Sequence, residues 1–122
     1  MRVGRAIAAR GRRLQRRLAR TALVLVYHRV ARVDVDPWEL SVSPEHFAEH
    51  LDVIQRQGRP ISLPAFVESV RRGSLARGSI VVTLDDGYAD TLRNAEPLLS
   101  WHDVPATCFL AVGLLGRDRP FW

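Results

Sequence analysis

Apolar residues fall along this chain in two patterns. Continuous apolar runs at 21–26, 79–82 and 106–112 have strand length, and between them apolar residues recur every three or four positions, as on one face of a helix. The run Ser79-Ile80-Val81-Val82 has the β-branched content of a strand buried on both faces, the kind found in parallel sheets covered by helices. The run from Thr21 to Val26 reads as the first buried strand, and that from Ala106 to Val112 as the last. Ser43-Pro44-Glu45 opens a helix, with serine as cap and proline at the first position; Phe47, Leu51 and Ile54 form its buried stripe, and Gly58 ends it. A short strand at 60–63 follows. The next helix, at 64–72, turns Phe66, Val67 and Val70 inward, and Arg71-Arg72-Gly73 suits its exit. Residues 88–102 read as a further helix capped by Asp90, with Leu92, Ala95 and Leu99 on its stripe and Pro97 breaking or restarting the turn. Residues 31–42 read as a polar connector. The alternation of strand and helix predicts an α/β fold.

Composition changes this picture in one place. The 122 residues suffice for one small domain, and 47% apolar with 25% charged residues is ordinary for a globular protein rather than a disordered one. All 18 basic residues are arginine, and eight of them fall in residues 1–20, which hold no acid. The net charge of +5 therefore divides into +8 on an arm and −3 on a body spanning 21–122, so the basic balance does not describe the body and argues against nucleic acid as its partner. On a helical wheel Val3, Ile7, Leu14 and Leu18 share one stripe opposite the arginines. Such an arm can lie on an anionic membrane surface, bind another polyanion, or remain solvated and partly disordered. The apolar run at 21–26 is far shorter than the roughly 20 residues of a membrane span and lacks a cleavage pattern. A cytoplasmic or membrane-peripheral chain is expected. Cys108 is the single cysteine, so no intrachain disulfide can form, and its apolar surroundings predict a buried, inert thiol.

The candidate chemistry lies at Thr83-Leu84-Asp85-Asp86-Gly87-Tyr88, directly after the central apolar run. Asp85 and Asp86 fall at the carboxyl end of a strand, where ligands and catalytic groups collect in α/β sheets and barrels. Two adjacent carboxylates repel each other and each is costly to desolvate, so the pair calls for a cation, a proton or water. A solvated Asp-Asp-Gly turn and a metal or acid-base site both satisfy that requirement. His28 ends the first strand at the same level.

Several segments, in consistent order from about Ala22 to Trp122, together resemble the polysaccharide deacetylase family, carbohydrate esterase family four. Val24-Leu25-Val26-Tyr27-His28-Arg29-Val30 is similar to its opening strand, and Phe47-Ala48-Glu49-His50-Leu51 to the helix after it. Val82-Thr83-Leu84-Asp85-Asp86-Gly87-Tyr88 resembles its first motif, usually Thr-Phe-Asp-Asp-Gly. Asn94-Ala95-Glu96-Pro97-Leu98-Leu99 and Pro105-Ala106-Thr107-Cys108-Phe109-Leu110 resemble the helix and strand that follow. The resemblance implies the amino-terminal portion of a distorted (β/α) barrel, incomplete in this chain, that removes acetyl groups from an N-acetylated, or O-acetylated, polysaccharide by hydrolysis. It implies Asp85 as general base, Asp86 as ligand of a divalent metal, zinc above all, and His28 as a residue lining the substrate pocket or held structurally. His46, His50 and His102 stand at no ligand spacing with the aspartates.

The family completes its metal site with a His-Ser/Thr-x-x-His pair, and this chain contains none. With one carboxylate ligand a zinc site lacks most of its donors. The expectation is a truncated fragment, inactive alone, whose open sheet edge leaves it marginally stable or self-associating. Two other functions compete. In one, a non-catalytic remnant acts through the arginine arm at a membrane or polyanion. The other, an aspartyl-phosphate site, suits these residues poorly because its carboxylates would alternate rather than adjoin.

Overall fold

A computed structural model describes residues 21–116; the arginine-rich arm at 1–20 and residues 117–122 lie outside the described residues. The element order is β1 (Leu23–Tyr27), β2 (Arg29–Val30), β3 (Ser41–Val42), α1 (Pro44–Gln57), β4 (Arg59–Pro60), α2 (Leu63–Arg71), β5 (Ser79–Leu84), a π-helical turn (Thr91–Ala95), α3 (Glu96–Trp101), β6 (Ala106–Cys108) and a 3₁₀ turn (Val112–Leu114). Strands and helices alternate as the apolar pattern predicts. None of the helices among the described residues is long and apolar enough to cross a membrane.

β5 organises the sheet, and all its neighbours run parallel to it. β1 follows one edge from Leu23 opposite Ile80 to Tyr27 opposite Leu84. The other edge is divided: β4 pairs with Ser79 and Ile80, while β6 pairs with Val82 through Leu84. Pro60 ends β4 without an N–H to donate, which suits a strand that stops halfway up its neighbour. β2 and β3 form a separate two-stranded parallel sheet. The described residues form no closed barrel, consistent with an incomplete fold.

Helix α1 begins where Ser43 Oγ accepts the His46 amide at 3.2 Å, with Pro44 in the first turn. It ends at Gly58, where a Cβ would run into Ile80 Cδ1, so the chain can pass this close to β5 only without a side chain. Phe47, Leu51 and Ile54 are buried, as their spacing predicts. They pack with Val30, Ile80, Val82, Leu84, Ala95 and Val104 in one core, flanked by the half-buried Leu25, Tyr27, Leu98 and Leu99.

Several expectations change. β5 is buried along its whole length, but β1 is not: Leu23, Val24 and Val26 are exposed, because among the described residues β1 has a neighbour on one edge only. α2 buries no residue, and Val67 and Val70 face solvent. The strand expected at 106–112 stops at Cys108, and β6 lies on the open side of the sheet with Cys108 exposed rather than buried. The connector at 31–42 is ordered at its end, where Asp36 Oδ1 and Oδ2 accept the Leu40 and Ser41 amides at 3.0 and 2.8 Å and lead into β3. In the helix after β5, Pro97 cannot donate to the ladder and its ring crowds the preceding turn. The ladder widens into a π turn ahead of it, and α3 restarts at Glu96. Ala95 is buried and Leu99 packs against the core, as the spacing predicts, but Leu92 faces solvent and Thr91 is buried in its place. Asp90 makes no cap, because its carboxylate is engaged elsewhere.

Candidate active site

The site is built on the end of β5. The Asp85 amide donates to the Tyr27 carbonyl at 2.8 Å, which extends the β1–β5 ladder one step beyond Leu84. That step brings His28, directly after β1, to the level of Asp85. Leu84 points into the core, and Tyr27 packs edge-on against Phe47 with ring centroids 4.9 Å apart. By the alternation of a pleated strand, Asp85 and His28 come next on the opposite face, where Val26 and Thr83 are register neighbours. The structure thus brings Asp85 and His28 to one end of the sheet.

The turn that follows is tightly constrained. Asp86 and Gly87 both have a φ of 74°. Glycine adopts this left-handed conformation freely, whereas for aspartate it is uncommon and carries strain of order 1 kcal/mol. Leu110 lies against Gly87, where a Cβ would stand 2.5 Å from Leu110 Cδ2. The Phe109 amide donates to the Leu84 carbonyl at 2.8 Å and the Ala111 amide to the Asp86 carbonyl at 3.4 Å, so the segment after β6 walls the turn on one side. Asp85 and Asp86 are both half-buried. Cys108 sits beside them: partial burial, and then the negative charge of Asp85, push its thiol above the usual range. Both effects disfavour the thiolate, the nucleophilic form of a thiol that is exposed here.

On its other side the turn is tied to the segment after β1, by residues that sequence reasoning missed. Asp90 Oδ1 accepts the Val30 amide at 3.0 Å, and Asp90 Oδ2 accepts Arg29 Nε and pairs with Arg29 Nη2, each at 3.0 Å. Asn94 Nδ2 donates to the Val30 carbonyl at 2.7 Å. The Arg29 guanidinium lies 4.6 Å from the centre of the Tyr88 ring, within cation–π range. Partial burial is the main reason that the Tyr88 phenol lies above its usual pKa. The only sequence signal for this cluster was an acidic residue in the first turn of a helix, which a cap explains equally well.

The histidines on helices are placed apart from the carboxylates. Nδ1 of His50 lies 3.2 Å from the Tyr27 hydroxyl, and Nδ1 of His102 lies 3.4 Å from Asp52. Among the described residues no group of three or more His, Cys, Asp or Glu side chains is gathered to hold a metal ion. The donor set present here therefore does not fit a zinc centre, which takes about three or four protein ligands.

No protein-family model matches the chain. It is 24% identical over 112 residues to the poly-β-1,6-N-acetyl-D-glucosamine N-deacetylase of Staphylococcus aureus, an alignment covering 81% of this chain and 39% of that protein. Among solved structures, IcaB from Ammonifex degensii superposes with a TM-score of 0.70 at 31% identity, over 80% of this chain and 41% of that one. Streptococcus pyogenes deacetylase PplD, solved in complex with acetate, gives a TM-score of 0.66 at 27% identity, over 80% and 46%. The chain spans 39%, 41% and 46% of the length of these three relatives. In both sequence and fold, it matches part of the polysaccharide deacetylase family.

Proposed function

We propose that this chain carries the carboxylate portion of a polysaccharide deacetylase site, one that removes acetyl groups from an N-acetylated sugar polymer by hydrolysis. The observation that carries the reading is the placement of Asp85 and Asp86 at the carboxyl end of the central, fully buried strand, with His28 brought level with Asp85 by the β1–β5 register. A rigid strand end beside an open face is where a water and a substrate carbonyl can be held against a fixed base.

Asp85 acts as the general base in this reading. It takes a proton from water, the water oxygen bonds to the acetyl carbon, the carbon–nitrogen bond breaks, and the sugar amine leaves with a proton as acetate is released. The wall formed by Phe109, Leu110 and Ala111 limits solvent on one side, and His28 lines the pocket on the other. Asp86 would be one ligand of a divalent ion, zinc above all, which would supply Lewis-acid chemistry when bound. The other ligands would have to come from residues beyond those described or from another polypeptide.

Fragment complementation tests this. The chain is co-expressed with the portion of Ammonifex degensii IcaB that it does not match, and acetate release from N-acetylglucosamine oligomers is measured. The assembly is expected to release acetate, and Asp85→Asn to slow it by about 100-fold or more, the scale of a lost general base. An Asp85→Asn assembly as active as the unsubstituted one, or a stable assembly that releases no acetate, would falsify the proposal.

A further inference from the structure

The turn that carries Asp85 and Asp86 holds an uncommon backbone conformation at Asp86, and such conformations persist where surrounding groups over-determine them. One set of such groups is the pairing with the segment after β6. The other is the cluster of Arg29, Asp90, Tyr88 and Asn94, whose members lie on opposite sides of the site. Arg29 and Val30 directly follow His28, while Asp90 and Asn94 directly follow the acidic turn. Their contacts join residues about 60 positions apart in the chain.

The chemistry of the cluster makes it rigid. The Asp90 carboxylate is 10% exposed and uses both oxygens: one for a backbone amide, the other for two guanidinium nitrogens. Charge-assisted bonds of this kind are shorter and stronger than neutral ones, and the planar guanidinium can pair with the carboxylate while its face lies over Tyr88. Asp90 has to be buried for this, and a buried carboxylate is tolerated only with such partners. An ordinary helix cap would have needed none of them.

We propose that Arg29 and Asp90 are positioning residues for the site: together they clasp the segment carrying His28 to the turn carrying Asp85 and Asp86 and fix the left-handed conformation of Asp86. The catalytic consequence rests on the deacetylase reading, but the clasp itself does not.

The test uses amide hydrogen exchange, followed by NMR on the chain of residues 1–122, comparing the unsubstituted protein with Arg29→Gln and Asp90→Asn. Asp90→Asn keeps an oxygen for the Val30 amide while removing the charge, so it preserves the fold should Arg29→Gln not. Either substitution is expected to speed exchange at the Asp85, Thr91 and Ala111 amides, which donate to the Tyr27, Tyr88 and Asp86 carbonyls, by about tenfold, the factor given by loss of a charge-assisted hydrogen bond. Exchange at Val81 and Val82, inside β5, is expected to stay unchanged. Arg72→Gln breaks the exposed Arg72–Glu68 pair and should change none of these amides. Arg29→Lys should recover only part of the protection, since an ammonium cannot pair and stack in the same way. Turn exchange that is unaltered, or that rises only in step with the whole of β5, overturns the clasp. In the complementation assembly, Arg29→Gln or Asp90→Asn is expected to lower the turnover number while leaving KM unchanged. If exchange responds but Asp85→Asn leaves acetate release intact, the deacetylase reading fails and the clasp stands.

Discussion

β1 and β5 are neighbours in one sheet and almost the same in composition, Leu-Val-Leu-Val-Tyr beside Ser-Ile-Val-Val-Thr-Leu. Their surroundings are opposites. Every residue of β5 is buried, with parallel neighbours on both edges, whereas Leu23, Val24 and Val26 of β1 are exposed and one edge of β1 is unpaired among the described residues. An apolar run states that a strand wants to be covered. What covers it is decided elsewhere in the chain, or outside it. Unpaired apolar edges are sites of further pairing, so β1 is where a continuing barrel or another chain would add its next strand.

The sharpest way to break that contrast is to make one chemical change on both strands. Val82 is 1% exposed and Val26 is 53% exposed. Val82→Ala should cost about 2–3 kcal/mol of unfolding free energy, the scale of a fully buried valine, while Val26→Ala should stay within about 0.5 kcal/mol. Urea denaturation followed by circular dichroism measures both. Equal losses would mean that β1 is already covered in solution, by a second copy or by residues outside 21–116.

A smaller effect is expected at the turn between the two regions. Gly87→Ala must hold an alanine at a φ of 74° and displace the end of the Leu110 side chain. It should lower stability by about 1–2 kcal/mol in the same denaturation experiment. A neutral result would show that the turn relaxes, and would weaken the case for a site held in advance.

The smallest effect concerns the open side of β6. Asp85 helps hold the Cys108 thiol above its usual range, so at pH 8 less of it is thiolate than in a free cysteine. Removing that negative charge lowers the thiol pKa and raises the thiolate fraction. Asp85→Asn should therefore speed alkylation of Cys108 by iodoacetamide, by about twofold for a partly solvated pair. An unchanged rate would separate Cys108 from the carboxylate.

The features legible in the sequence are those set by local pattern. The stripe Phe47, Leu51, Ile54 requires only helical spacing, and burial of β5 on both faces follows from its unbroken β-branched run. Asp85 and Asp86 are at a strand end because the apolar run stops there. What could not be read depends on groups distant in sequence. Asp90 has the composition of a cap, and only the fold brings Arg29 and Val30 to it. Leu92 fits the stripe by spacing, but Pro97, five residues on, widens the turn and rotates it outward. Val67, Val70 and Cys108 are apolar or soft residues on elements with too little chain over them, which no local pattern records.

The β1–β5 register also governs how this protein is made. Leu23 cannot meet Ile80 until the intervening chain has been synthesised, which at about 5–20 residues per second takes roughly 3 to 11 seconds. During that interval β1 is an apolar strand with no partner on either edge. Local elements such as α1 can form early, but the sheet and the Asp90 contacts wait for β5, since distant pairings close last. Nascent chains whose β5 has not yet left the ribosome should therefore display β1 to chaperones, and those whose β5 has emerged should shield it along one edge.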